Sequence, residues 1–249
     1  MGPVRPPQKF QALSHKTKFS EIILSEDDHY LVVNKPHGIA TLEDRADPVN
    51  LLGLAKEYYP EAQACHRLDK ETSGVIAFAK DPEAYRHLSL QFQRRQVEKI
   101  YHAVCDGIHR MEDVVVDKPV LKSREGPVKI SKLGKPAQTR FTSLKAYRMH
   151  TLVSCIPYTG RMHQIRVHLA SVGAPITGDA AYGGKPFFLS SVKRNFNLKK
   201  DVEEEALMKR FALHAYSLAF SDLEGRRMEV VAPYPKDMRA LVRQLELNS

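Results

Sequence analysis

The chain has 249 residues, with 38 Lys and Arg against 29 Asp and Glu and a formal charge of +9. Its 43% apolar and 27% charged content is close to a globular average and excludes collagen-like, coiled-coil and wholly disordered classes, and the length suits one large domain or two small ones. No apolar run approaches the roughly 20 residues of a spanning helix, no secretory signal is visible, and three widely spaced cysteines, Cys65, Cys105 and Cys155, fit neither a disulfide framework nor a CxxC site, so a cytoplasmic location without a membrane partner is expected.

Short strands are predicted over 21–24 and 30–34, around the acidic turn Glu26-Asp27-Asp28. Leu51, Leu54, Ala55 and Tyr58 share one helical face, and Pro60 stops that helix. A buried-type strand follows over 74–79. Asp81-Pro82-Glu83 reads as an N-cap, a first-turn proline and a first-turn acid, opening a helix to about residue 95. Further strands are expected over 99–105, 114–116, 137–144 and 151–156, then a helix over 163–172 with Thr159 as its candidate N-cap. Segments 211–220 and 227–232 flank a Gly-containing hairpin loop, and 235–247 reads as a terminal helix. Residues 184–210 mix aromatic, basic and acidic clusters and read as an inserted loop with some helix. Few long helices alternate with strands, so an α+β fold with a mostly antiparallel sheet is preferred over a doubly wound one.

The charge is unevenly placed. Residues 126–178 contain no Asp or Glu but eight cations, Lys129, Lys132, Lys135, Arg140, Lys145, Arg148, Arg161 and Arg166. Residues 1–20 form a second basic stretch, with Arg5, Lys9, Lys16 and Lys18. A folded basic surface suits a polyanion, and RNA, DNA, heparin-like sugar and acidic lipid all satisfy that description.

Four stretches are dense in reactive side chains. The first is the charged loop 65–74 that feeds the buried-type strand; loops aimed by a rigid scaffold carry function disproportionately, and a surface turn capped by Asp69 is the bland reading. Arg67, two residues from Asp69, would keep that carboxylate ionised. The second is Tyr158-Thr159-Gly160-Arg161-Met162-His163-Gln164-Ile165-Arg166-Val167-His168, in which Gln164 and His168 share one helical face and His163 and Arg166 another. Arg, His and Gln without acids suit phosphates and base edges, whereas His163 and His168 lie about 140° apart on a helix and cannot share a metal. The third, residues 178–185, approaches a P-loop but places Gly184 where its Lys belongs, leaving a Gly-rich turn. The fourth is the alternating strand around Tyr101, where a core tyrosine is the default.

These residues carry a family resemblance. His66-Arg67-Leu68-Asp69-Lys70-Glu71-Thr72-Ser73-Gly74 resembles the catalytic loop of the RluA-type RNA pseudouridine synthases. Val33-Asn34-Lys35-Pro36-His37-Gly38, Lys99-Ile100-Tyr101, the stretch 159–169, the stretch 173–183 and Leu213-His214-Ala215 match further motifs in the family's order. The resemblance implies a pseudouridine synthase fold, a long, mostly antiparallel mixed sheet with flanking helices and a central RNA-binding cleft, over 21–249. It implies isomerisation of uridine in ribosomal or transfer RNA to pseudouridine on a flipped-out base, with no cofactor and no metal. By the motif match Asp69 is the nucleophile, Tyr101 packs on the target base and is a proposed base at the sugar, and Arg166 pairs with the catalytic aspartate. Arg67 helps hold the place or the phosphate of the flipped nucleotide, Ile165 and Leu213 line the pocket, and Arg161, His163 and Gln164 meet the substrate. Attack at C1′, attack at C6 and a glycal route all remain open.

Many members carry an N-terminal S4 module; here only about 20 residues precede the first predicted strand, so its absence is expected, as is a monomer. Lys193-Arg194 and Lys199-Lys200 make the 184–210 insert a candidate RNA-contacting lid. The rival functions are an inactive RNA-binding or chaperone protein on the same scaffold and an RNA nuclease using His163 or His168.

Overall fold

A computed structural model describes residues 18–43, 49–123, 126–193, 196–197 and 202–249; the basic tail lies outside them except for 18–20. In chain order the elements are β1 (Ile23–Glu26), β2 (Tyr30–Lys35), α1 (Leu51–Tyr58), β3 (Gln63–Ala64), β4 (Ser73–Ala79), α2 (Pro82–Gln93), β5 (Glu98–Asp106), β6 (Val114–Asp117), β7 (Val120–Leu121) and β8 (Lys129–Ile130). Then come β9 (Gln138–Ala146), β10 (His150–Pro157), α3 (Gln164–Ser171), β11 (Leu213–Ser221), β12 (Arg227–Val231) and α4 (Lys236–Leu247).

Ten strands form one sheet, ordered β1-β2-β4-β11-β5-β10-β9-β6, with β12 on β11 and β3 on β4; β7 and β8 form a separate hairpin. All pairings in the sheet are antiparallel except β4 with β11. The expected α+β class and mixed, mostly antiparallel sheet are therefore present. All seven residues of β4 are buried, as its apolar run requires of a strand covered on both faces. Two core clusters flank the middle of the sheet, and Tyr101 of β5 packs against both.

Local chemistry sets the helix ends. The Asn50 side chain accepts from the Gly53 amide at 2.9 Å and Asp81 from Ala84 at 2.8 Å, each satisfying a first-turn donor. In α4, Met238, Leu241 and Leu245 are at most 2% exposed, and burial of such a side chain contributes roughly 2 kcal/mol to docking the helix on the sheet.

Several expectations need correction. Residues 21–22 belong to a 3-10 turn, Phe19–Ile22, and the first strand begins at Ile23. β3, β7 and β8 are two residues each, too short to show a periodicity. Thr159 does not cap α3. His163 occupies that position with a left-handed backbone at φ 54°, and the Thr159 hydroxyl donates instead to Gln164 Oε1 at 2.7 Å. The described part of 184–210 is rooted in the fold: Phe187, Val192 and Met208 are buried in one core cluster. None of its described residues lines the cleft introduced below; Arg194, Lys199 and Lys200 lie outside the described residues.

Candidate active site

β4 and β11 run parallel only where they begin, with Ser73 against His214 and Gly74 against Ala215. Gly74 is required there, since a Cβ would stand 2.1 Å from the Ala215 carbonyl oxygen and its φ is +117°. Ala215 in turn pairs with Tyr101 on β5. The loop entering β4, the first residue of β11 and the middle of β5 thus converge on a cleft of about 820 Å³, and all nine residues singled out by the motif match line it. Among its described lining residues six are Arg or Lys, namely Arg67, Arg95, Lys99, Lys122, Arg161 and Arg166, and one, Asp69, is acidic.

The loop bearing Asp69 is held by its backbone. Buried Leu68 exchanges two hydrogen bonds with Thr41, its amide donating to the Thr41 hydroxyl at 3.1 Å and its carbonyl accepting from that hydroxyl at 3.0 Å. The fully buried Lys35 donates to the carbonyls of Pro36, Ile39 and Lys70 at 3.0, 2.8 and 2.9 Å. Burial pushes its ammonium down to about 7, yet three carbonyls match the three donors of the charged form. The Gly38 amide donates to the same Lys70 carbonyl at 2.9 Å and the Thr72 amide to the Asp69 carbonyl at 3.0 Å. From the other side Arg210 donates to the Glu71 carbonyl at 3.0 Å while its fork binds Asp237 at 2.7 and 3.1 Å. The loop therefore turns at 69–72 rather than running as an extended strand.

Across the cleft, α3 presents its side chains through polar partners. Arg166, 7% exposed, makes a bidentate pair with Asp179, 2% exposed, both bonds at 2.7 Å. Its guanidinium lies over the rings of Phe211 and Tyr182, at 4.2 and 4.9 Å. The remaining nitrogen, Nη1, stands 3.9 Å from Asp69 Oδ2, and His163 Nε2 lies 3.9 Å from the same oxygen. Arg166 thus faces Asp69, while its hydrogen-bonded partner is Asp179.

The hydrogen bonds fix the form of His163. The Tyr182 hydroxyl donates to the Val128 carbonyl at 3.0 Å, so its oxygen accepts from His163 Nδ1–H at 3.0 Å, leaving the Nε2 lone pair toward Asp69. Burial lowers the His163 pKa against the opposing pull of Asp69, which favours this neutral ring. Burial, aided by the Asp69 charge, raises the Tyr101 phenol and keeps it protonated.

Gln164, expected to meet the substrate, has its side-chain amide fully used within the protein. Its oxygen accepts from Thr159 and the Arg161 amide, and its nitrogen donates to Gln138 and Thr139; it is a positioning residue. His168 completes the same buried face by bonding Thr139 at 2.9 Å. Of the eight cations in 126–178 only Arg161 and Arg166 line the cleft; Lys145 pairs with Glu246 at 3.1 Å and Arg140 faces Asp113 at 3.8 Å. Asp179, Tyr182, Lys35 and Arg210 escaped the reading of the sequence as site residues. For Asp179 a signal existed, because it is the first acid after the 126–178 run. Among the described residues no cluster of three or more His, Cys, Asp or Glu is placed to hold a metal.

A mixed, mostly antiparallel sheet with a cation-lined cleft around one aspartate can be set beside known proteins. The sequence profile described as RNA pseudouridylate synthase matches residues 29–171, and the chain belongs to that family, in its RluA-type branch. Among its relatives, the ribosomal large subunit pseudouridine synthase C of Vibrio vulnificus is 33% identical over 241 residues, covering 95% of this chain and 73% of the relative. The protein of that name from Escherichia coli K12 is 35% identical over 234 residues, covering 91% and 70%. The solved structure of human RNA pseudouridylate synthase domain containing 4 superposes with a TM-score of 0.69 at 27% identity over 92% of this chain and 94% of that one. Human RNA pseudouridylate synthase domain containing 1 gives 0.66 at 25% identity over 90% and 94%. Membership carries the family's isomerase activity, formation of pseudouridine in RNA.

Proposed function

We propose that Asp69 is the reacting carboxylate of this isomerase and that the cleft receives a single uridine flipped out of a ribosomal or transfer RNA. The observation that carries the reading is the setting of Asp69: the one acidic residue among the described lining of a six-cation cleft, faced by Arg166 at 3.9 Å and by the Tyr101 phenol, whose pKa its charge helps raise.

The reaction breaks the N1–C1′ bond, forms a C5–C1′ bond and moves one proton from C5 to N1. An ionised carboxylate at the sugar or base meets the demand of the first step, and a walled cleft keeps the detached uracil from escaping while it turns. Asp179 orients Arg166, so the guanidinium offers a directed donor at Asp69 without closing on it. The protonated phenol of Tyr101 suits stacking against the base better than service as a resting base at the sugar. Arg67, Arg161, Lys99 and Arg95 supply phosphate contacts, which offset the few kcal/mol that unstacking a base costs. Ribosomal RNA is the first substrate to examine, because the bacterial relatives are named for the large ribosomal subunit.

The test is Asp69→Asn. It should keep the melting temperature and RNA affinity of the parent and form no pseudouridine when unmodified ribosomal RNA or tRNA is mapped after incubation. Full activity in that variant would sink the assignment, and strand cleavage by the parent would favour the nuclease reading instead.

A further inference from the structure

A second groove of about 400 Å³ opens beside the cleft, between the β7–β8 hairpin and the turn that follows β10. Lys122, Gly160, Arg161 and Met162 line both spaces, so the two are continuous. No described carboxylate lines the groove, and Lys135 adds a third cation. Its rim is apolar and open to solvent, with Leu133 87% and Met162 44% exposed.

Leu133 is not displayed on a loose tip. The Ser131 amide donates to the Pro119 carbonyl at 3.0 Å and the Gly134 amide to the Ser131 carbonyl at 2.8 Å. Gly134 packs so tightly on Val120 that a Cβ would stand 2.5 Å from that residue's carbonyl carbon. A fixed turn therefore holds an exposed leucine between Lys132 and Lys135. Apolar side chains next to cations that have no carboxylate partner among the described residues match a ligand with a flat apolar face and an anionic linker, which is the chemistry of a nucleotide in a single strand. The volume also falls in the roughly 300–1,000 Å³ range of small-ligand sites. The groove is tied to the catalytic wall as well, because its Val128 carbonyl takes the Tyr182 hydroxyl proton and Tyr182 in turn accepts from His163.

We propose that this groove is a second nucleotide subsite. It takes the base of an unpaired residue adjoining the target uridine against Leu133 and Met162, while Lys122 and Arg161 hold the phosphate between the two nucleosides. The inference rests on the cleft being the uridine site, and it narrows the substrate class to RNA in which the target and a neighbour are both unpaired, as in a loop or bulge.

The experiment uses the full chain and a seven-residue single-stranded oligouridylate carrying 4-thiouridine throughout, irradiated and mapped by mass spectrometry. Adducts are expected within 131–135, where Leu133 and Lys135 line only the second groove, in addition to the main cleft. The variant Leu133→Ser should lose roughly ten-fold in affinity for the heptamer, the loss of one apolar side chain's contact with a base, with unchanged affinity for uridine monophosphate. The Leu133 side chain is exposed, so an unchanged melting temperature is the check on folding. Labelling confined to the main cleft, or equal losses for the heptamer and the mononucleotide, overturns the subsite. Labelling absent from the main cleft as well overturns the uridine reading on which it stands.

Discussion

The two walls of the cleft are built on different plans. On the wall that carries Asp69, buried cations grip backbone: Lys35 and Arg210 donate to the carbonyls of Lys70 and Glu71, the two central residues of the turn. On the α3 wall the contacts run between side chains, with Asp179 on Arg166, Tyr182 on His163, and Thr159 and Thr139 on Gln164. The first plan fixes where a short loop sits, whatever its own side chains do, and leaves the Asp69 carboxylate outside hydrogen-bond distance of its cations. The second fixes the direction of individual donors. With Asp69 as the proposed reacting carboxylate, the group that must meet and leave a substrate is mounted on a rigid backbone, whereas the groups proposed to assist it are aimed and held.

That contrast can be broken at several strengths. Lys35→Met takes the ammonium donor from the Pro36 and Ile39 carbonyls and leaves the Lys70 carbonyl with the Gly38 amide alone, so a stability loss of about 3 to 5 kcal/mol in urea unfolding is expected. A loss below about 1 kcal/mol would show that the loop needs no backbone grip. Asp179→Asn keeps the shape of its site but weakens the aim of Arg166. Turnover should fall about 100-fold, on the order of 2.7 kcal/mol in the barrier, with KM within about three-fold; an effect on KM alone would make Arg166 a binding group.

His214 links the two plans at the start of β11. Fully buried, it receives the Ser73 hydroxyl at Nδ1 and donates from Nε2 to the Ala232 carbonyl, and burial lowers its pKa to about 4. Between the unfolded value near 6.5 and about 4, the unfolded chain binds a proton that the folded chain refuses. Stability should therefore fall with falling pH through that window, by up to about 1.4 kcal/mol per unit from this group. Unfolding midpoints at pH 7.5, 5.5 and 4.5 measure the slope, and His214→Gln should flatten it by one group's share. The smallest effect belongs to Arg67, exposed at the mouth: Arg67→Ala should lower the log–log salt slope of RNA binding by about 0.7 to 0.9, the release of one counterion. A slope that does not move would place the RNA backbone elsewhere.

What could be read in advance follows from how each plan is written into the chain. Asp69, Tyr101 and Arg166 stand in contiguous motifs of unusual composition, and the buried run of β4 and the cap Asp81 announce themselves locally. Lys35 gave no such signal, because its partners are carbonyls, which every residue possesses and no sequence distinguishes. Asp179 lies 13 positions from Arg166 inside a stretch that reads only as a Gly-rich turn; Gly178 has a φ of +82° and Gly184 would place a Cβ 1.8 Å from the Ile176 carbonyl oxygen, so the turn is a fixed mount for the carboxylate. In the insert the charge pairs are conspicuous, while Phe187, Val192 and Met208, which root its described part in the core, are scattered around them. The acid-free run 126–178 pointed to a polyanion, yet four of the six cleft cations, Arg67, Arg95, Lys99 and Lys122, come from before it.

The parallel start of β4 and β11 has one more consequence. Open α/β sheets collect ligands beyond the carboxyl ends of their strands, where a following helix offers backbone amides to an anion. Here Asp69, four residues before β4, and Leu213, the first residue of β11, lie at the amino ends of their two strands, so among the described residues no strand-to-helix amide cradle arises at that edge. Attraction for a phosphate chain must then come largely from arginine and lysine side chains, each adjustable one residue at a time. A site of this kind can change the RNA it prefers by exchanging surface cations around an unaltered aspartate.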